Sequence, residues 1–258
     1  MPRTLFLLFC TFVPVMAYPA TSDTQTFLTD KTSSEYQGWY DPRINGGRFL
    51  DYTDHKPPYR GEPLNIIITS LSDPYVLTDE GFQEYSKSIG YSEECLGIHL
   101  GNKHGADLGD GDGKKMQQLL ARQYYFPVMG TCWESFAGGH HFRAWKQNGT
   151  LANSGAWFLG ASKEEPTAKK HMIVPNGYNI GRDWFVEKAT AGSYSKGMWW
   201  KADVEWREGL LEPGSDGKQA PPQPLSSAPD DVSHPCHPGI NHGIAQDGIV
   251  AILTIHRL

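Results

Sequence analysis

Residues 139–186 decide the fold: GHHFRAWKQNGTLANSGAWFLGASKEEPTAKKHMIVPNGYNIGRDWFV. Two apolar runs of strand length, 141–145 and 156–161, lie on either side of the pair Asn148-Gly149. Asn-Gly is the strongest short-range signal for a tight turn between two antiparallel strands. The stretch therefore predicts a β-hairpin that is rich in histidine and arginine.

The rest of the chain predicts further strands and short helices around this hairpin. Apolar runs predict strands at 64–69, 95–100, 171–174, 199–206 and 248–255. Helical spacing of apolar residues, together with Gly stop signals, predicts helices at 79–89 and 180–189. Residues 116–126 fit either a helix or a strand. The predicted fold class is α+β, a single domain with a mixed β-sheet and a few short helices.

Composition divides the chain into three regions, the last of which contains a long loop. Residues 1–17 predict a signal peptide, with Arg3 as its positive start, an apolar centre, and Val15-Met16-Ala17 as the cleavage site. Residues 18–59 predict an extended N-terminal arm, and 60–258 the α+β domain. Within that domain, 209–239 is a long proline-rich loop.

The signal peptide predicts a secreted, extracellular protein. Its apolar run of about eleven residues is shorter than the roughly 20 that cross a bilayer, so no membrane span is predicted. The formal net charge of −6 argues against nucleic acid as a partner, because nucleic-acid binding needs a basic surface. We expect a monomer.

The cysteines and one sequon fit an extracellular protein. Cys10 leaves with the signal peptide, and Cys95 and Cys132 are the preferred disulfide pair. Cys236 lies in the proline-rich loop, either as a disulfide partner or as a lone thiol. Asn148-Gly149-Thr150 is the only glycosylation sequon, and we expect Asn148 to carry a glycan.

The hairpin and its surroundings hold the candidate site residues. His140 and His141 are adjacent and point to opposite faces of a strand, whereas His141 and Arg143 share one face. His171 begins a later predicted strand, and a pair of charged residues follows on a helix. We predict a pocket in which His141 and His171 carry protons, Asp183 orients them, and His140, Arg143 and Arg182 bind the ligand.

Two other interpretations of these residues stay open. Arg143, Arg182 and Asp183 are also expected if they form buried ion pairs that only support the scaffold. A metal site is the third interpretation and ranks lowest, because few carboxylates accompany the histidines. No metal and no cofactor is therefore predicted.

Three other patterns favour structural roles over functional ones. Residues 107–113 alternate Asp and Gly, but Lys114 stands at a ligand position and no Glu closes a calcium loop, which favours a plain turn. His234, Cys236, His237 and His242 lack a zinc-finger spacing, which favours a tethered loop. Trp200 and Trp206 share one strand face, which favours core packing over a sugar-binding platform.

Several of these motifs resemble the LssY C-terminal-like domain family, which includes secreted fungal members. The similar stretches are LNIIIT (64–69), HHFRAW (140–145), GAWFLGAS (155–162), HMIVP (171–175), GRDWFV (181–186) and QDGIVAILTI (246–255). The chain departs from the bacterial pattern at Gly181 and at 176–179, where that pattern has acidic residues. The resemblance implies the fold and this set of residues, but it implies no activity.

The sequence therefore favours a secreted protein whose His/Arg/Asp pocket binds an anionic small molecule or a lipid head group. If it is an enzyme, hydrolysis by acid–base catalysis is expected. It has neither the G-x-S-x-G motif of serine hydrolases nor a glycine-rich phosphate loop. The alternatives are a non-catalytic secreted binding protein and an accessory protein of secondary-metabolite biosynthesis.

Overall fold

The predicted hairpin is the centre of the structure. In the computed structural model, strands β7 (Gly139–Asn148) and β8 (Asn153–Glu164) pair antiparallel across the Asn148-Gly149 turn. The structure describes residues 36–53, 60–98, 102–126, 129–211 and 243–258. The predicted signal peptide and the histidines at 234, 237 and 242, together with Cys236, lie outside these residues.

The described residues form an α+β domain with two sheets and three short helices. The remaining strands are β1 (Asp51–Tyr52), β2 (Ile66–Ile68), β3 (Tyr91–Ser92), β4 (Gly105–Asp107), β5 (Lys114–Met116), β6 (Leu119–Gln123), β9 (Ser193–Ser195), β10 (Met198–Arg207) and β11 (Val250–Arg257). The helices are α1 (Asp79–Ser88), α2 (Glu134–Ala137) and α3 (Gly177–Ala191).

The larger sheet is mixed and has the strand order β3-β6-β7-β8-β2-β11-β10-β9. Only β2 and β11 pair in parallel; the other neighbours are antiparallel. A small sheet of order β1-β4-β5 accompanies it. This arrangement confirms the predicted fold class.

The two faces of the larger sheet carry different layers, because side chains alternate along each strand. On one face, Phe142 packs against Phe82 of α1 and Phe185 of α3, with ring centroids 5.8 and 5.5 Å apart. On the other face, Trp145 and Phe158 share a core with residues of the small sheet and of the segment before it. His141 and Arg143 point to this second face.

Helices α1 and α3 confirm the two helices predicted from the sequence. Helix α1 begins at a Thr78 cap, whose Oγ1 accepts a hydrogen bond from the Gly81 amide, with Asp79 and Glu80 in the first turn. Helix α3 lies close to β8, because a Cβ at Gly181 would be only 2.3 Å from the Cα of Ser162. A side chain at position 181 therefore has no space beside β8.

The predicted strand at 95–100 is wrong. Cys95–Gly97 forms a single 3-10 turn in which Leu96 has a φ of 55°. Leu96 and Ile98 are exposed, so the described residues of this run, 95–98, do not face a core. The disulfide between Cys95 and Cys132 holds the turn, which confirms the predicted pair.

The predicted strand at 171–174 is also wrong. Lys170 and His171 have φ values of 59° and 51°, which are incompatible with an extended chain. One isolated bridge, between Glu164 and Ile173, is the only strand-like pairing that the structure describes in this stretch. His171 therefore follows a turn and not a regular strand.

Other ambiguous stretches have definite structures. The stretch 116–126 contains a strand, β6, and no helix. The Asp/Gly stretch forms a turn between β4 and β5, and buried Asp110 accepts hydrogen bonds from the Asn148 and Gly149 amides. The described part of the predicted N-terminal arm, residues 36–53, contributes Trp39 and Phe49 to the core of the domain.

None of the helices in the described part of the chain is long and apolar enough to cross a membrane.

Candidate functional site

Strand β7 places its two histidines in different environments, as predicted. His140 stacks on Trp184 of α3, with ring centroids 4.6 Å apart and 13° between the planes. Burial, together with nearby Lys163, lowers the pKa of His140 to about 4. His140 therefore belongs to the packing between the sheet and the helix, away from the other candidate residues.

His141 and Arg143 lie together on the opposite face. Nη1 of Arg143 donates to Nε2 of His141 and to Oε2 of Glu62, both at 2.9 Å. Because arginine can only donate, Nε2 of His141 is an acceptor and the imidazole is neutral. Complete burial also holds the pKa of His141 well below its ordinary value.

Glu164 connects the two histidines that the sequence singles out. One carboxylate oxygen, Oε1, lies 3.3 Å from Nδ1 of His141, and the other, Oε2, lies 3.4 Å from Nδ1 of His171. His171 is the more accessible of the two, with 28% of its side chain exposed against 0% for His141. Solvent therefore reaches this group of residues on the His171 side.

Arg122 and Glu134 complete the group. Arg122 stands opposite His141 in the β6–β7 register, and its Nη1 donates to Glu164 Oε2 at 2.7 Å and to Glu134 Oε1 at 3.2 Å. Its Nε donates to Glu94 Oε1 at 3.2 Å. One guanidinium is thus shared by three carboxylates.

We name Glu134, Glu164 and His171 the Glu–His cluster. One potential ligand atom from each side chain lies within 4.8 Å of the other two. Oε2 of Glu134 and Nδ1 of His171 are buried and have no hydrogen-bond partner among the described residues. Since buried polar atoms are rarely left unpaired, these two atoms mark a place that a proton donor or a cation would fill.

The carboxyls of the Glu–His cluster have opposite pKa shifts. Burial raises the pKa of Glu134, and Arg122 offsets only part of this effect. Burial acts in the same direction on Glu164, but His141, His171 and Arg122 beside it outweigh burial and hold the pKa of that carboxyl well below its usual range. The Glu164 carboxylate in turn raises the pKa of His171. Such divergent environments are typical of sites that perform chemistry.

A second acidic group lies beside Arg143. Asp51 and His104 form a 2.8 Å hydrogen bond, and Glu62 Oε2 lies 4.0 Å from the same His104 nitrogen. Burial raises the pKa of Asp51 against the opposing effect of His104. This group has the composition of a metal site, but its side chains already pair with each other and with Arg143.

Arg182 and Asp183 form a different group. Arg182 Nε donates to Asp183 at 2.9 Å, and its Nη1 and Nη2 atoms bind both oxygens of Asp247 at 2.6 and 2.8 Å. Nη1 also donates to the Ile249 carbonyl. The residues that flank His141 and His171 are Glu164 and Glu134, so Glu164 occupies the orienting position expected of Asp183.

The guanidiniums predicted to bind an anion are already paired. Arg143 is 8% exposed and bonds to Glu62, while Arg182 is 3% exposed and bonds to two carboxylates. These pairs match the scaffold interpretation of Arg143, Arg182 and Asp183. The candidate site is consequently richer in carboxylates than the sequence indicates.

Several functional residues escape sequence reasoning, but one leaves a signal. In the hairpin register, His141 pairs with Ser162 and Gly139 with Glu164, so Glu164 lies on the His141 face. Alternate residues along β8, followed outward from the Asn148-Gly149 turn, therefore identify Glu164 as a candidate partner of His141. Glu62, Arg122 and Glu134 come from distant segments, and no local pattern connects them to the hairpin.

Three exposed apolar side chains lie next to members of the Glu–His cluster in sequence. Trp133 and Phe136 flank Glu134 in sequence, are 42% and 67% exposed, and have ring centroids 6.1 Å apart. Met172 follows His171 and is 47% exposed.

The tryptophans of β10 are divided between core and surface. Trp200 is fully buried and confirms the expectation of core packing. Trp206 shares its face but is 48% exposed, with the Arg182 guanidinium 5.2 Å from its ring centroid. Trp199 is exposed beside Tyr194, with centroids 4.8 Å apart.

Comparison of the chain with protein-family models, with curated proteins and with solved structures found no match in any of the three. The site is therefore interpreted from its own geometry.

Proposed function

We propose that this chain is a secreted hydrolase that uses the Glu–His cluster to activate water. The observation that carries the proposal is the pair of unpartnered, buried acceptor atoms, Glu134 Oε2 and His171 Nδ1, beside Glu164. Two acceptors without a donor favour a bound water molecule, and a water held this way is oriented for nucleophilic attack.

The reaction we propose is hydrolysis of an ester. The water oxygen bonds to the carbonyl carbon while its proton passes to one of the two acceptors. The ester C–O bond then breaks, and the departing alcohol takes up that proton. Arg122 and His141 hold Glu164 in place from behind, through the 2.7 Å bond and the 3.3 Å approach described above. They are positioning residues.

The proposed substrate is uncharged and carries an apolar group. Glu134 and Glu164 place two carboxyls at the site, and the nearest guanidinium, Arg122, is already bonded to both. Arg143 and Arg182 have other carboxylate partners. Trp133, Phe136 and Met172 are exposed apolar side chains within two residues of Glu134 or His171 in sequence. These features support a neutral ester over the anionic ligand that the sequence favours.

Membership in the LssY C-terminal-like family is part of the proposal. It rests on the motifs from LNIIIT (64–69) to QDGIVAILTI (246–255). Secretion rests on the signal-peptide pattern of residues 1–17, and a disulfide between Cys95 and Cys132 is compatible with it.

A non-catalytic binding protein is the second candidate. The full burial of His141 and the paired states of Arg143 and Arg182 favour it, because such networks also stabilise scaffolds. In that case the Glu–His cluster supports the fold, and no substrate is turned over.

The test is a panel of p-nitrophenyl esters of increasing acyl length, with p-nitrophenyl phosphate as the anionic comparator. We expect turnover of the esters, lost in His171→Ala and Glu134→Gln and retained in His256→Ala, whose exposed histidine is distant in sequence from the cluster. If p-nitrophenyl phosphate is turned over instead, and this turnover depends on Arg143, the result supports the anion-binding pocket predicted from the sequence. Absence of turnover across the panel, with folded protein, supports the binding protein.

A further inference from the structure

We propose that the Glu–His cluster binds one divalent transition-metal cation, Zn²⁺ or Mn²⁺, through Glu134, Glu164 and His171. The inference concerns the site of the proposed function but requires no turnover, so the two proposals fail separately.

The distances within the cluster fit a shared cation better than direct hydrogen bonds. Nδ1 of His171 lies 3.4 Å from Glu164 Oε2 and 3.6 Å from Glu134 Oε1. A charge-assisted hydrogen bond between such groups is about 2.7–2.9 Å long. Ligand atoms about 2.0–2.2 Å from a tetrahedral Zn²⁺ are roughly 3.3–3.6 Å from each other. The observed separations match the second arrangement. The same two oxygens also accept hydrogen bonds from Arg122 Nη1, so a cation would share them with the guanidinium.

The unpartnered carboxylate oxygen is an independent observation. Glu134 is fully buried, Arg122 bonds only its Oε1, and Oε2 has no hydrogen-bond partner in the described structure. A buried carboxylate oxygen without a donor is costly unless a proton or a cation compensates it. Arg122 is already shared with two more carboxylates, Glu94 and Glu164.

His171 is oriented as a metal ligand would be. Its Nε2 lies 2.9 Å from Thr167 Oγ1, so the hydroxyl can accept the Nε2 proton and leave the Nδ1 lone pair facing the carboxylates. Metal-binding histidines usually donate their other ring proton in this way. Both Lys170 and His171 adopt the left-handed backbone, which is costly for non-glycine residues and concentrates at functional sites.

The ligand set selects the class of ion. One imidazole nitrogen and two carboxylates suit Zn²⁺ or Mn²⁺, whereas Ca²⁺ takes about six to eight oxygen ligands. Three protein ligands also leave a position for water, as in catalytic zinc sites. The group of Asp51, Glu62 and His104 differs, since Asp51 and His104 form a direct 2.8 Å bond.

The experiment is calorimetric titration of chelator-treated, tag-free mature protein with Zn²⁺, Mn²⁺ and, for comparison, Ca²⁺. We expect one Zn²⁺ or Mn²⁺ per chain and no comparable Ca²⁺ binding. His171→Ala should weaken binding by more than about 100-fold, and Thr167→Ala by roughly 10- to 100-fold. X-ray absorption of the Zn²⁺ complex should show one imidazole and oxygen ligands, and no sulfur.

Two controls locate the binding. Glu165→Gln changes the neighbouring carboxylate, which pairs with Lys169, and should leave the affinity unchanged. The triple variant with His234, His237 and His242 changed to Ala should also bind normally. Binding that disappears in the triple variant and persists in His171→Ala overturns the inference, as does absence of stoichiometric metal in folded protein.

The remaining outcomes separate the two proposals. Glu134→Gln tests the unpartnered oxygen, and if that variant does not fold, His171→Ala still decides because its side chain is partly exposed. Stoichiometric metal without ester turnover retains the cation site and removes the hydrolase. Ester turnover by metal-free protein that binds no cation retains the hydrolase and removes the cation site.

Discussion

The Nδ1 atom of His171 lies 3.4 Å from Oε2 of Glu164, at the far end of a turn that leaves strand β8. Glu165 donates its amide to the Met172 carbonyl, and Val174 donates to the Lys163 carbonyl. These bonds bring the chain back beside the strand it has just left. A local turn therefore places His171 beside the strand that carries Glu164.

The Cys95–Cys132 disulfide should stabilise both the domain and the Glu–His cluster. It closes a segment with a sequence separation of 37, and Cys132 lies two residues before Glu134. We expect the double variant Cys95→Ala, Cys132→Ala to lose about 2–4 kcal/mol of unfolding free energy. Its Zn²⁺ affinity should fall as well, because Glu134 is less firmly held.

Urea unfolding and calorimetric titration of the same preparations test this prediction. Cys236→Ala is the matched control, since it removes a thiol and leaves the described disulfide intact. A double variant with undiminished stability would show that packing alone holds the segment around Glu134.

Stability should fall in mild acid because of His140. Burial lowers its folded-state pKa to about 4, below the roughly 6.5 of an unfolded histidine. Between these values the unfolded chain binds a proton that the folded chain does not, so unfolding becomes easier as the pH falls from about 6.5 to 4. The expected loss from this residue is on the order of 2–3 kcal/mol.

A comparison of His140→Phe with the parent protein isolates this effect. Phenylalanine can keep the stack on Trp184 without titrating, so the stability difference between pH 7.5 and 4.5 should shrink in urea unfolding. An equal pH dependence in His140→Phe would mean that other groups dominate.

The hairpin and the main helices were predictable because their signals are local. The Asn148-Gly149 signal predicts that β7 and β8 form a hairpin, and Thr78 caps α1. The strand predictions at 95–100 and 171–174 were wrong because an apolar run does not by itself show that its side chains are buried or that its backbone is extended. Leu96 is exposed beside a disulfide, and Lys170 and His171 adopt backbone angles that the pattern does not reveal.

The candidate site was only half predictable. Period-two alternation places His141 with Arg143, and the structure confirms this pair at 2.9 Å. Arg122 and Glu134 reach the site through the pairing of β6 with β7 and through the segment held by the disulfide. Such contacts arise from tertiary packing, which a single sequence does not encode in any local pattern.

The Arg182 ion pairs should differ in strength. Asp247 binds Arg182 through both oxygens and is 34% exposed, whereas Asp183 makes its contact at 57% exposure. Asp247→Asn should cost about 1–3 kcal/mol of unfolding free energy, and Asp183→Asn less than about 1 kcal/mol. Arg182→Met should lose more unfolding free energy than either aspartate variant, because it leaves Asp247 without its charged partner. Equal losses for the two aspartates in urea unfolding would contradict the ranking.

Gly181 should tolerate no side chain, because helix α3 approaches β8 at this residue. Alanine normally stabilises a helix interior by up to about 1 kcal/mol relative to glycine. Here its Cβ would lie 2.3 Å from the Cα of Ser162, and backbone cannot move aside as a flexible side chain does. We therefore expect Gly181→Ala to lose about 1–3 kcal/mol of unfolding free energy. Glu187→Ala, at an exposed position of the same helix, should stay within about 0.5 kcal/mol. A gain in the urea midpoint for Gly181→Ala would show that α3 and β8 are less closely packed than this geometry requires.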